Sequence, residues 1–326
     1  MTKPADALYR TEPTPWHVAI NVLGVPVEFA SNSESMRNAI RSSFGRWSHC
    51  RRDPNAPQVR ARFYVHDRTE GAGRGAVTYR MPDDRRVLIH TPGSLALCDP
   101  DRAEIVAYVS PDLLEDRDHF RYTMLEAATF AVVTRFDRQP FHAAALVRGD
   151  AVLLLHGPSG AGKSTLSYAA LRSGIRILAE DMVYLQARPR LRVWGAPSAV
   201  HLPVEARSLF PELASLHTVL LANGKEKIAV PIAAEHAAAT IPYERAGLCM
   251  IAGRTHEPTL ERVTRDDVIA AVAQQREDGF DLFEETIRAP VAALAGAGGW
   301  KLTTSHDPAA ALPLLHSMFD ELGRIS

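Results

Sequence analysis

The segment Gly157-Pro158-Ser159-Gly160-Ala161-Gly162-Lys163-Ser164 constrains this chain more than any other stretch. It satisfies G-x-x-x-x-G-K-[ST], the Walker A spacing, directly after the apolar run Ala151 to Leu155 and directly before the Gly- and Pro-free stretch Lys163 to Arg172. A strand, a glycine-rich turn and a helix in that order bind phosphate for physical reasons. Glycines let successive backbone N–H groups turn inward around phosphate oxygens, and the helix N-terminus adds partial positive charge. The lysine bridges the terminal phosphates, and the serine hydroxyl can ligate Mg²⁺. Lysine occurs only at positions 3, 163, 225, 227 and 301, so its presence here is not a by-product of composition. A nucleoside triphosphate site is therefore expected, built from Gly157, Ser159, Gly160, Ala161, Gly162, Lys163, Ser164 and Thr165.

A length of 326 residues predicts about two domains. Apolar residues make up 46% and charged residues 23%, enough for a packed core. Lys plus Arg (37) nearly balance Asp plus Glu (38), which argues against a general nucleic-acid binder. No stretch approaches the roughly 18 apolar residues that span a bilayer, so no membrane association is expected. Cys50, Cys98 and Cys249 are odd in number and far apart, which supports neither a disulfide framework nor a zinc site and fits a reducing cytoplasm.

Residues 1–139 read as a β-rich α+β domain. Trp16 to Ala30 alternates about Gly24 as a hairpin, and Met36, Ile40 and Phe44 repeat at helical spacing. Strand-like runs follow at 59–65, 77–81, 86–90, 94–97 and 104–109, and an unbroken helix is expected over Asp118 to Arg135. Residues 140–326 alternate strands and helices, which predicts an α/β layer. Phe141 to Val147 and Ala151 to Leu155 are expected as adjacent antiparallel strands. Helix 163–172 leads to strand 175–179, and further strands are read at 182–186, 191–194, 248–251 and 301–304. Helices are expected at 205–213, 266–275, 281–294 and 308–322.

Strand Ile175 to Ala179 ends in Glu180-Asp181. If it runs parallel to Val152 to Leu155, the pair faces the phosphate loop, because both strands then end on one edge of the sheet. Two carboxylates there can bind Mg²⁺, or one can accept the proton of an attacking hydroxyl; a solvated acidic strand end is the plain alternative.

His142 in the FHAAALV strand, the GPSGAGKST loop and the acidic pair of ILAEDMVYL stand in an order and spacing that resembles the serine kinase domain of HPr kinase/phosphorylase, whose fold is shared with phosphoenolpyruvate carboxykinase. The likeness covers about Phe141 to Leu185. It implies a P-loop kinase domain with a mixed sheet and flanking helices, ATP and Mg²⁺ as cofactors, Asp181 as catalytic base, Glu180 on the metal side with Ser164, and His142 pointing into the site. Thr165 stands where the bifunctional enzymes carry glutamate, Glu180 replaces an aspartate, and their C-terminal arginine- and glycine-rich signature has no counterpart. The loop also looks similar to that of HPr-kinase-related kinases from bacterial natural-product clusters, some of which phosphorylate a serine of a precursor peptide.

Lys225 and Lys227 precede the strand-like Ile228 to Pro231 and either neutralise a transferred phosphoryl group or form a solvated hairpin tip. His201, in GAPSAVHLP, lines an acceptor groove or belongs to a plain connection. The combined expectation is an ATP- and Mg²⁺-dependent serine kinase, its partners a nucleoside triphosphate and a peptide or small-protein acceptor, with a homo-oligomer left open. The alternatives are a kinase of a free small molecule such as an amino acid, and a nucleotide-binding sensor without transfer activity.

Overall fold

The computed structural model describes residues 13–66, 76–83, 85–197, 199–220, 224–239, 241–274 and 284–324. Ser198 of the GAPSAVHLP segment, and Gln275 and residues 281–283 of the expected helices, lie outside these. Two compact units divide the chain, 1–136 and 137–326.

In the first unit β1 (Trp16–Val22) and β2 (Val25–Ser31) form the expected hairpin, and Gly24 supplies its left-handed backbone at φ +78°. Helix α1 (Glu34–Phe44) starts where the Ser33 hydroxyl accepts from Met36 N–H at 3.4 Å. It buries Met36, Ile40 and Phe44, and Phe44 stacks on Phe29 at 5.2 Å between ring centres. Strands β3 (Val59–Val65), β4 (Thr78–Arg80), β5 (Val87–Thr91), β6 (Ser94–Asp99) and β7 (Glu104–Val109) complete a seven-stranded sheet in the order β1-β2-β3-β7-β6-β5-β4.

A short helix, α2 (Pro111–Glu115), precedes the helix expected over 118–135, which is a continuous helical run of three pieces: α3 (Arg117–Phe120), a π-helical turn at Arg121–Glu126, and α4 (Ala127–Val133). A π turn brings residues five apart onto one face. Arg121 and Glu126 are so spaced, and their side chains meet at 2.8 Å, with Arg46 on the same carboxylate at 2.9 Å.

The second unit opens with β8 (Gln139–His142), β9 (Ala144–Arg148) and β10 (Ala151–His156), then α5 (Lys163–Arg172), β11 (Arg176–Ala179), β12 (Met182–Gln186) and β13 (Arg192–Trp194). Next come β14 (Ala199–Pro203), 3₁₀ turns at Val204–Ser208 and Pro211–Ser215, β15 (Thr218–Leu220), β16 (Glu226–Pro231), β17 (Arg245–Arg254) and β18 (Thr259–Val263). Helices α6 (Arg265–Gln274) and α7 (Glu284–Leu294), strand β19 (Gly299–Thr304), a 3₁₀ turn at Pro308–Ala311 and α8 (Leu312–Arg324) end the chain.

A mixed six-stranded sheet, β11-β9-β10-β17-β19-β18, carries helices on both faces. Strand β10 alternates between two cores: Leu153 and Leu155 pack with Leu166 of α5 and Phe319 of α8, Val152 and Leu154 with Val291 and Leu294 of α7. Such an all-apolar run is what a strand covered on both faces requires. This is the α/β layer with a mixed sheet and flanking helices that the sequence predicts.

Two expectations need correction, and a third is met with a strand in between. The strand read as Phe141 to Val147 is two: residues 139–142 pair with β12, and the chain changes sheet at Ala143 before 144–148 pair with β10 and β11. Strand β11 does run in the direction of β10, but β9 lies between them, antiparallel to both. The helix expected at 205–213 is two 3₁₀ turns, because Pro211 disfavours helical backbone at Phe210, whose ψ is 89°. Strands β14, β15 and β18 are additional. Among the described residues no helix is long and apolar enough to cross a membrane. The three cysteines are buried thiols outside any disulfide, and burial pushes the Cys98 thiol up to about 12.

Candidate active site

The phosphate loop leaves β10 at the edge of the sheet where β10 and β11 both end, so the expected placement of the acidic pair beside it is realised. Gly157 is required by proximity: a Cβ there would lie 3.1 Å from the Ile251 carbonyl oxygen on the neighbouring β17. Gly160 and Gly162 supply left-handed backbone at φ +84° and +102°, and the Ala161 N–H bonds the Pro158 carbonyl at 3.1 Å, which closes the turn. Lys163 begins α5 and is 93% buried; its ammonium donates to the carbonyls of Gly157 at 2.6 Å and Pro158 at 3.3 Å. Ser159 is exposed at the loop tip, whereas Thr165 is buried within α5.

Glu180 and Asp181 occupy the corner at which β11 passes into β12. Opposite them β8 passes into β9, so both members of the pair of strands change sheet at one level; Ala145 still faces Ala179, His142 faces Met182, and the Ala143 N–H donates to the Asp181 carbonyl at 3.1 Å. The two acids have different surroundings. Glu180 has a 13% exposed side chain; one carboxylate oxygen accepts from the Ser164 hydroxyl at 2.8 Å, the other lies 3.1 Å from His201 Nδ1. Asp181 is 63% exposed and sits 2.9 Å from His142 Nε2. The His142 hydrogen bond holds the Asp181 carboxyl below its ordinary range, against burial, and the charges of Lys163 and Lys227 act in the same direction.

Lys227 reaches the site on a small sheet, β14-β16-β15. Leu202 pairs with Ile228, and both turn into the core with Val200; His201 pairs with Ala229 and Pro203 with Lys227, so the alternation of the strands leaves His201 and Lys227 together on the other face. That polar face looks toward the acidic pair. Lys225 precedes β16 and is exposed. His201 is thus placed against Glu180 rather than in a connection, and its contact follows from a strand the sequence did not reveal.

His156, the last residue of β10, was not singled out by sequence. It is 95% buried, stacks on Phe141 at 4.9 Å, and its Nδ1 lies 2.9 Å from the His142 carbonyl oxygen, which fixes Nδ1 as the protonated nitrogen. Burial, with the Lys163 charge adding to it, pushes its pKa down to about 4. The signal was available: a polar residue closes an otherwise apolar strand next to the loop.

The donors present fit a hard cation. Because the Ser164 hydroxyl gives its hydrogen to Glu180, its lone pairs remain for a cation, and oxygen donors suit Mg²⁺. Backbone amides, an ammonium, a hydroxyl and two carboxylates at one sheet edge can bind a polyphosphate with its metal, and Asp181 can accept a hydrogen bond from an incoming hydroxyl.

No protein-family model matches the chain, and no curated protein matches it. Among solved structures the Hpr(Ser) kinase/phosphatase from Coxiella burnetii is similar at 14% identity over 58% of this chain and 92% of that one, with a TM-score of 0.28.

Proposed function

We propose that residues 137–326 form an ATP- and Mg²⁺-dependent kinase that transfers the γ-phosphoryl group to a hydroxyl, with a serine of a peptide or small protein as acceptor. The observation that carries this reading is the division of labour between the two carboxylates: largely covered Glu180 holds the Ser164 hydroxyl, while exposed Asp181 is left to meet an acceptor.

The loop amides and Lys163 hold the triphosphate in line with the acceptor. Mg²⁺ would be held by the Ser164 hydroxyl and Glu180 and would supply positive charge that offsets the phosphates. Asp181 accepts a hydrogen bond from the acceptor hydroxyl and aims its oxygen at the γ-phosphorus. A bond forms between that oxygen and phosphorus, the bond to the β–γ bridging oxygen breaks, ADP leaves, and the hydroxyl proton passes to Asp181. His142 keeps Asp181 ionised. An acidic carboxyl suffices, because a loose transition state needs little proton removal before the old bond breaks. The exposure of Asp181 favours a hydroxyl presented by a chain over a small molecule that must be enclosed.

Asp181→Asn tests the assignment. It keeps shape and loses the proton acceptor, so phosphoryl transfer should fall roughly 10²- to 10⁴-fold while Mg-ATP affinity stays within about threefold. Transfer to serine-containing peptides and to free serine is followed by mass spectrometry in parallel. Activity surviving the substitution would remove Asp181 from the mechanism, and phosphorylation of free serine alone would move the acceptor to the small-molecule class.

A further inference from the structure

Strand β17 lies beside β10 in the sheet and ends next to the phosphate loop, and its last residue is Arg254. The pairing with β19 is irregular there. Ile251 faces Leu302 and Arg254 faces Thr304, so three steps on β17 match two on β19, and one residue is extra. Gly253, at φ +111°, supplies the backbone this bulge needs.

One extra residue reverses the side-chain alternation beyond it. Leu302 and Thr304 point to the same face of β19, and so their partners Ile251 and Arg254 share a face too. In an unbroken strand Arg254 would point to the opposite side. Ile251 is the residue against which Gly157 packs, where a Cβ would come within 3.3 Å of the Ile251 Cβ. The bulge therefore turns Arg254 toward the loop, and the distances agree: a Cβ on Gly162 would lie 3.8 Å from Arg254 Nη2.

The guanidinium is exposed, and among the described residues no carboxylate holds it. That separates it from arginines of the same unit such as Arg245 and Arg262, which pair with Asp150 and Glu321. The electrostatics give it a task. A triphosphate bound by the loop brings anionic charge beside Glu180 and Asp181, and cations around it must offset that charge. Lys163 serves from within the loop and Lys227 from the small sheet; Arg254 stands beside Gly162.

We propose that Arg254 is a phosphate-binding residue whose guanidinium contacts the polyphosphate of the nucleotide held by the 157–165 loop. This rests on the nucleotide site proposed above and adds a contact from outside the loop. A planar fork suits two phosphate oxygens at once, which lysine cannot match.

Isothermal titration with Mg²⁺-ATP and with Mg²⁺-pyrophosphate, a polyphosphate without base or sugar, tests it on the full chain. Arg254→Ala should weaken both ligands by the same factor, roughly fivefold to twentyfold, given one charged contact at an exposed position. Arg254→Lys should recover part of the loss, and the gap between wild type and Arg254→Ala should narrow as salt rises. An unchanged melting temperature would show that the variants fold. Weakened ATP with unchanged pyrophosphate would place Arg254 on the base or ribose and overturn the proposal, as would unchanged affinity for both. If wild-type protein bound neither ligand, or Lys163→Ala bound both as well as wild type, the nucleotide site itself would be wrong.

Discussion

One side of the site is a single unbroken segment, Gly157 to Thr165, whose amides, ammonium and hydroxyl are placed by a turn and the first residues of α5. The facing side is assembled from parts far apart in the chain: His201 from β14, Lys227 from β16, both on the polar face of a small sheet whose other face is core. A contiguous segment needs only local backbone geometry to present its groups. The assembled side needs the small sheet to fold, to keep its register and to dock through Val200, Leu202 and Ile228. A slip of one residue in the β14–β16 pairing would put His201 and Lys227 on opposite faces of the small sheet. The contiguous side should therefore carry most of the binding, and the assembled side should adjust it.

The hardest test of that asymmetry is Lys163→Ala. It removes a buried charge from the centre of the contiguous side, with Lys227 and Arg254 left in place. Turnover should drop to background, and Mg-ATP binding should weaken roughly 10- to 100-fold by calorimetry. Retention of wild-type affinity would mean that the assembled side binds phosphate unaided, and the comparison would reverse.

His201→Ala strikes the assembled side. Glu180 would keep the Ser164 hydroxyl on one oxygen and lose the imidazole on the other, so the hydroxyl would be held less firmly. The Mg²⁺ concentration needed for half-maximal nucleotide binding should rise about tenfold, the usual effect of removing a group that orients a metal ligand. His201→Asn, which retains an N–H near Nδ1, should recover much of it. Mn²⁺ binding followed by electron paramagnetic resonance gives a readout apart from activity. Equal metal affinity in wild type and His201→Ala would leave the His201–Glu180 contact without a role.

The same asymmetry decided what could be read from sequence. The loop, helix α5 and the acidic pair were legible because their spacing along the chain is their spacing in space, and α5 spans Lys163–Arg172 as expected. The break at Ala143 was not, since residues on either side of it are equally apolar and only their partners differ, β12 before it and β10 with β11 after it. Lys227 and His201 could be noticed as unusual residues, yet their meeting with the acids depends on cross-strand register, which no short segment encodes. Arg254 was illegible for a sharper reason: its side depends on one extra residue in β17, and alternation read without the bulge places it on the wrong face.

A change in stability alone, with none expected in binding, separates two histidines at the site. His201 meets a carboxylate and is partly exposed, whereas His156 lies under the loop against Phe141, and burial holds its pKa down to about 4, below the ordinary histidine value of 6.5. Between those values the unfolded chain binds a proton that the folded chain refuses. The stability contributed by neutral His156 is thus complete above about pH 6.5 and is lost as pH falls toward 4, and the full difference is roughly 3 kcal/mol. His156→Asn keeps an N–H for the His142 carbonyl and has nothing to titrate. Urea unfolding of both proteins between pH 7 and 4.5 should show wild type losing stability faster than the variant as the solution is acidified, with the carboxylates common to both cancelling in the difference. Parallel curves would mean that His156 accepts its proton in the folded state, and its burial against Phe141 would not exclude the charged form.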